Sequence, residues 1–197
     1  MTEIISKNID AVGCCLHCLE AGRPEDRTVL LLHGMKFNAA TWQELGTLEK
    51  LAGAGFHPVA VDMPGFGESP VCDKDQDEIL SAFISQGELN RPVMIGPSMG
   101  GRIALEFAVN HPGILGGLVL VGAVGVEENR ERLAEIDIPV LIIWGGEDRI
   151  SPLANSDILL ESIKGAERLI IDGAPHPCYL DQPDRWHGAV LDFLNGL

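Results

Sequence analysis

Basic side chains are scarce in this 197-residue chain: 14 Lys and Arg stand against 29 Asp and Glu, a formal net charge of −15. An excess of that sign repels nucleic-acid phosphates and anionic lipid surfaces, and no Lys/Arg cluster interrupts it. Neither nucleic acid nor a membrane is therefore expected as a partner. Long apolar runs are missing as well. The longest, around Gly117 to Val126, is far too short for a bilayer span, and residues 1–10 lack the apolar centre of a signal peptide, so a cytoplasmic protein is expected, with the nucleus also open if the cell is eukaryotic. Repeats, low-complexity tracts and linker-like breaks are absent too. With 46% hydrophobic and 22% charged residues the composition is that of a globular core, and residues 1–197 are expected to form one domain. The five cysteines are an odd number, and the C-x-x-C formed by Cys15 and Cys18 has no second ligand pair. No metal and no cofactor is therefore expected, and Cys14, Cys15 and Cys18 read as thiols on an N-terminal strand.

What is present is chemical punctuation at the ends of apolar runs. The run Val93 to Pro97 breaks into G-x-S-x-G, Gly96 to Gly100, and then into a helix-like segment. Such a strand, turn and helix is a nucleophile elbow: the glycines allow the turn, Ser98 Oγ is presented at a sheet edge, and the Met99 amide faces a developing oxyanion. By itself the motif also fits an ordinary turn with an ordinary serine. A serine needs a histidine to take its proton and a carboxylate to fix that histidine's tautomer. Pro139 to Trp144 is an uncharged, β-branched run that stops in Gly145-Gly146 and presents Asp148 just beyond, and Arg168 to Ile171 leads in the same way to His176. Ser98, Asp148 and His176 thus follow in the order Ser, Asp, His, each on a loop after its own strand.

Upstream, Thr28 to Leu32 ends in His33-Gly34-Met35, where the Met35 amide is a candidate second oxyanion donor and His33 is expected to brace the loop. Val59 to Asp62 leads into Met63-Pro64-Gly65-Phe66-Gly67. There Asp62 is expected to brace the turn, since a carboxylate ahead of the nucleophile is misplaced for the triad.

Together the H-G-M, D-M-P-G-F-G-E-S, G-P-S-M-G-G, W-G-G-E-D-R-I and A-P-H-P stretches resemble the α/β-hydrolase superfamily across essentially the whole chain. T-W-Q-E-L-G-T-L, the proline before the nucleophile and H-P-C-Y-L-D-Q-P-D-R-W-H are similar to the α/β-hydrolase-domain protein 14 family, especially its small soluble B type. The resemblance implies an α/β-hydrolase fold, a mostly parallel eight-stranded sheet flanked by helices, and a serine hydrolase of short-chain acyl esters with Ser98, Asp148 and His176 as the matching triad.

Periodicity places strands near residues 4–8, 14–20, 28–32, 59–62, 92–96, 117–121, 140–144 and 168–171, the first two forming an antiparallel edge. Helices are expected over 41–54, 76–86, 99–110, 154–163 and 183–194, the last opened by Pro183. Only residues 127–137 separate the strand at Val121 from the one that carries the acid, which leaves no room for a cap domain. Met35 and Met99, with Phe37, Phe66 and Ile150, are then candidates for a shallow substrate pocket suited to small acyl groups, core packing being the other reading of the last three. Cys178, two residues past His176, is expected to pack. A different class remains open: a ligand- or protein-binding module on the same fold, or an acyltransferase or deacetylase that passes the acyl group to a thiol. No residue pattern identifies a protein partner.

Overall fold

The computed structural model describes residues 2–197. It contains two compact units, one up to residue 92 and one over residues 93–197.

In the first unit β1 (Ile4–Ala11) and β2 (Cys14–Ala21) form the expected antiparallel hairpin. Its two-residue turn, Val12 and Gly13, has φ of 52° and 85°, the left-handed pair that matches the twist of a tight hairpin. Asp10 Oδ1 accepts the Gly13 amide at 2.8 Å. β2 pairs antiparallel with β4 (Phe56–Val61), which pairs parallel with β3 (Arg27–Leu31), giving the order β1-β2-β4-β3. The single helix expected over 41–54 is two, α1 (Ala40–Glu44) and α2 (Thr47–Gly53). Gly46, at φ 72°, stands between them in a conformation that no continuous helix contains. Trp42 anchors α1 through its indole N–H, which donates to Leu32 O at 3.2 Å. α3 (Gln76–Gln86) covers β1, and Asp75 caps it by accepting the Asp77 and Glu78 amides. Cys14 is not a free thiol: it forms a disulfide with Cys72 and so ties the hairpin to the loop before α3.

The second unit is a parallel sheet, β5 (Val93–Pro97), β6 (Gly117–Val121), β7 (Val140–Gly145) and β8 (Glu167–Ile171), in that order. Every residue of β5, β6 and β7 is buried, as strands covered on both faces require. α4 (Met99–Asn110) follows β5, α5 (Leu153–Ser162) follows β7, and the four-residue α6 (Cys178–Asp181) and α7 (Pro183–Asn195) both follow β8. Parallel strands joined by crossovers end on one edge, so the loops after β5, β6, β7 and β8 share the same side of this sheet. Between β6 and β7 the chain forms only a 3-10 stretch, Glu127–Glu135, and no cap domain.

All eight expected strands are therefore present, four in each unit, and the architecture is the expected α/β one. No described helix is long and apolar enough to cross a membrane.

Candidate active site

Ser98 ends β5 and begins α4 at φ 52° and ψ −114°, a backbone state that costs a residue with a side chain about 1–3 kcal/mol. The surrounding contacts enforce it. A Cβ on Gly96 would run into the Gly100 carbonyl, and one on Gly101 would stand 2.7 Å from Ala123 Cβ and 2.9 Å from Gly96 O, so the strand can fold back into the helix this tightly only with glycine at both positions. The Ser98 main chain is fully engaged: its N–H donates to Val121 O at 2.9 Å, and its carbonyl accepts the amides of Arg102 at 3.0 Å and Val124 at 3.3 Å. Serine at a helix start ordinarily caps the helix with its hydroxyl, yet Ser98 Oγ takes no bond from α4. The hydroxyl is left for other chemistry. Met99 opens α4, where an amide has no intrahelical acceptor.

Asp148 lies in the turn after β7. Its Oδ1 accepts the amides of Ile150 and Ser151, each at 2.8 Å, and its Oδ2 accepts His176 Nδ1 at 2.7 Å. The Asp148 side chain is 0% exposed and that of His176 17%. A carboxylate holding three donors in this way fixes the proton of His176 on Nδ1, and Nε2 is left as a base. His176 Nε2 is buried and has no hydrogen-bond partner among the described residues.

The loop after β6 connects this pair to the serine. Val121 O holds the Ser98 amide, and the next residue, Gly122, lies against the pair: a Cβ there would be 3.1 Å from Asp148 Oδ2 and 3.3 Å from His176 Nδ1. Gly122 also has φ 52°. Ser151 Oγ donates to Ala123 O at 2.6 Å, and Trp144 Nε1 donates to Ser151 O at 2.9 Å. Glu147 N donates to Ala174 O at 2.9 Å, joining the acid loop to the histidine loop. Gly122, Ala123 and Ser151 are the supports that sequence reasoning missed. The one available signal was a glycine directly after β6.

Ile150 follows Asp148, its amide on the carboxylate and its side chain 66% exposed. Cys178 is buried as expected, and burial together with the Asp148 charge pushes its thiol up to about 12, which keeps it protonated. In the first unit His33 is buried, donating from Nδ1 to Gly34 O at 2.9 Å and accepting the Met63 amide at Nε2 at 3.1 Å. Both ring nitrogens are used, and burial lowers the imidazole pKa, so His33 is a neutral brace. Phe66 sits edge-on to that ring at 5.0 Å. Met35 is exposed and Phe37 half-buried in the turn closed by the Phe37 amide on Gly34 O. Cys15 is exposed and Cys18 buried, the opposite faces that odd spacing on a strand dictates, so the C-x-x-C pair does not converge on an ion.

A family model described as the alpha/beta hydrolase fold matches residues 27–130. The putative protein-lysine deacylase ABHD14B of Homo sapiens is 39% identical over 178 residues, 86% of this chain and 84% of that protein. Protein ABHD14A of Danio rerio is 37% identical over 86% of this chain and 64% of its own length. Among solved structures, a predicted CIB-like hydrolase from Thermoplasma acidophilum superimposes with a TM-score of 0.95 at 25% identity, covering 100% of both chains. The chain belongs to the α/β-hydrolase family and, within it, is an ABHD14-like hydrolase.

Proposed function

We propose that this hydrolase cleaves small, short-chain acyl esters through an acyl-serine intermediate, with Ser98 as nucleophile, His176 as general base and acid, and Asp148 as the group that orients and stabilises the imidazolium. The observation that carries the reading is the Asp148–His176 pair with its tautomer set and its Nε2 unpartnered, on the same sheet edge as a strained serine whose hydroxyl does not cap its helix. In the first step His176 Nε2 takes the Ser98 proton as Oγ bonds to the acyl carbon, and the Met99 amide at the start of α4 stabilises the oxyanion. The leaving alcohol departs with the proton from Nε2. Water, deprotonated by the same nitrogen, then releases the acid. The absence of a cap between β6 and β7 supports small acyl groups over long lipid chains, and Ile150 contributes an exposed apolar side chain beside the acid.

A second reading uses the same machinery on an amide. The human relative is named a putative protein-lysine deacylase, and an Nε-acyl-lysine would form the same acyl-serine with an amine as leaving group. Initial rates on p-nitrophenyl esters of increasing acyl length and on an Nε-acetyl-lysine peptide separate the two. Ester turnover confined to short chains and lost in Ser98→Ala supports the esterase. Peptide deacylation with a higher kcat/KM than any ester moves the assignment to lysine. A folded chain without either activity sets both aside in favour of a binding module.

A further inference from the structure

The first unit contains a second Ser–His–Asp relay that the proposed reaction does not use. His17, in β2, is 5% exposed and Asp62, just after β4, is 2% exposed. Asp62 Oδ1 accepts the Ala39 amide at 2.6 Å, and its Oδ2 accepts the Glu68 amide at 2.9 Å and His17 Nδ1 at 2.8 Å. The donor set is that of Asp148: two backbone amides and one imidazole Nδ1. The consequence is also the same. The proton of His17 is held on Nδ1, and Nε2 becomes the acceptor. That acceptor is not empty, because Ser6 Oγ stands 3.0 Å from it.

The imidazole is held rigidly. The His17 amide donates to Ser69 Oγ at 2.9 Å, its carbonyl accepts the Asp62 amide at 2.9 Å, and Ser69 Oγ donates to Asp62 O at 2.7 Å. The would-be Cβ of Gly67 lies directly on the Asp62 carboxylate, so the loop closes over the acid with no side chain between them. Ser69 is buried with its hydroxyl fully employed, whereas Ser6 lies exposed on β1. Two of the three groups are thus dry and fixed, and the third faces solvent.

We propose that Ser6 is a second activated hydroxyl, a covalent acceptor site for small activated acyl esters. In the step, His17 Nε2 takes the Ser6 proton, Oγ bonds to the acyl carbon, the bond to the leaving alkoxide breaks, and the alkoxide takes the proton from Nε2. The products are O-acyl-Ser6 and a free alcohol. Unlike Ser98, Ser6 lies within a strand and not at the start of a helix, so it lacks the following helical amide that would stabilise an oxyanion, hydrolysis of the ester is slow, and the acyl group accumulates stoichiometrically.

The test uses Ser98→Ala protein and an alkyl fluorophosphonate, which bonds Oγ to phosphorus with loss of fluoride and of the serine proton. Adducts are quantified by peptide mass spectrometry. Residues 1–7 form a tryptic peptide in which Ser6 is the one serine, and Ser85, exposed on α3, is the internal reference in the same folded molecule. General-base assistance predicts labelling of Ser6 at least about 10²-fold faster than of Ser85, and a loss of that advantage in His17→Gln. Equal rates at Ser6 and Ser85, or a rate at Ser6 that His17→Gln leaves unchanged in folded protein, overturn the proposal.

Discussion

Gly122 offers a perturbation whose cost divides into two measurable parts. At φ 52°, replacing it with alanine places a side chain in the left-handed region, worth about 1–2 kcal/mol of lost stability. For a chain of this size that corresponds to a fall in Tm of roughly 2–8 °C. The new methyl would also stand 3.1 Å from Asp148 Oδ2 and 3.3 Å from His176 Nδ1, tighter than ordinary packing, so the pair must give by a few tenths of an ångström. A displacement approaching 1 Å at reacting groups costs about 10²-fold, and a smaller one is expected to lower kcat about 10-fold with little change in KM. Gly165→Ala is the control: its φ is 75° and nothing lies within 4 Å of the new Cβ, so it carries the backbone strain alone. Both variants are to be melted by circular dichroism and assayed on a short-chain p-nitrophenyl ester. The expected pattern is a similar loss of Tm in both and a loss of kcat in Gly122→Ala only. Full activity in Gly122→Ala, or equal losses of activity in the two variants, would refute the role given to the Asp148–His176 geometry.

Asp148→Asn keeps an oxygen for the Ile150 and Ser151 amides but turns an amide N–H toward His176 Nδ1, reversing the tautomer; kcat is expected to fall about 10⁴-fold with Tm nearly unchanged, and a fall below 10-fold in the same ester assay contradicts the orienting role. Burial lowers the His33 pKa below 6.5, so the unfolded chain takes up the proton first as the pH drops. The contribution of a neutral His33 is full above pH 6.5 and is lost below it, and His33→Gln should flatten the dependence of Tm on pH between 7 and 5. An unchanged slope counts against this brace. Reduction of Cys14–Cys72, a link across 58 positions, should cost about 2–4 kcal/mol and lower Tm by roughly 4–16 °C in dithiothreitol, whereas Cys72→Ser should be insensitive to the reductant.

The strands were legible because β-branched, uncharged runs such as Val140–Gly145 are buried on both faces and end at glycines. The glycine turn at Ser98 and the loop positions of Asp148 and His176 were legible for the same reason, since each stands just past such a run. Gly46 hid the break between α1 and α2, because one glycine inside a helical pattern reads equally as a tolerated residue. The partner of Cys14 was not legible: Cys72 lies in a polar stretch 58 positions away, and no local period connects them. The hydrogen bonds of Asp62 were visible only as a turn brace. That the same carboxylate orients His17 depends on the antiparallel pairing of β2 with β4, which brings Cys18 opposite Val61 and is a contact between distant segments.

In the proposed reaction an acyl group passes through Ser98. Acid-quenching the wild-type protein during turnover of a short-chain p-nitrophenyl ester, followed by peptide mass spectrometry, tests it directly. A single acyl group on the peptide that carries Ser98, absent from Ser98→Ala together with turnover, is the predicted result. Turnover that persists in Ser98→Ala at the wild-type kcat/KM, with no adduct on that peptide in the wild type, would contradict it.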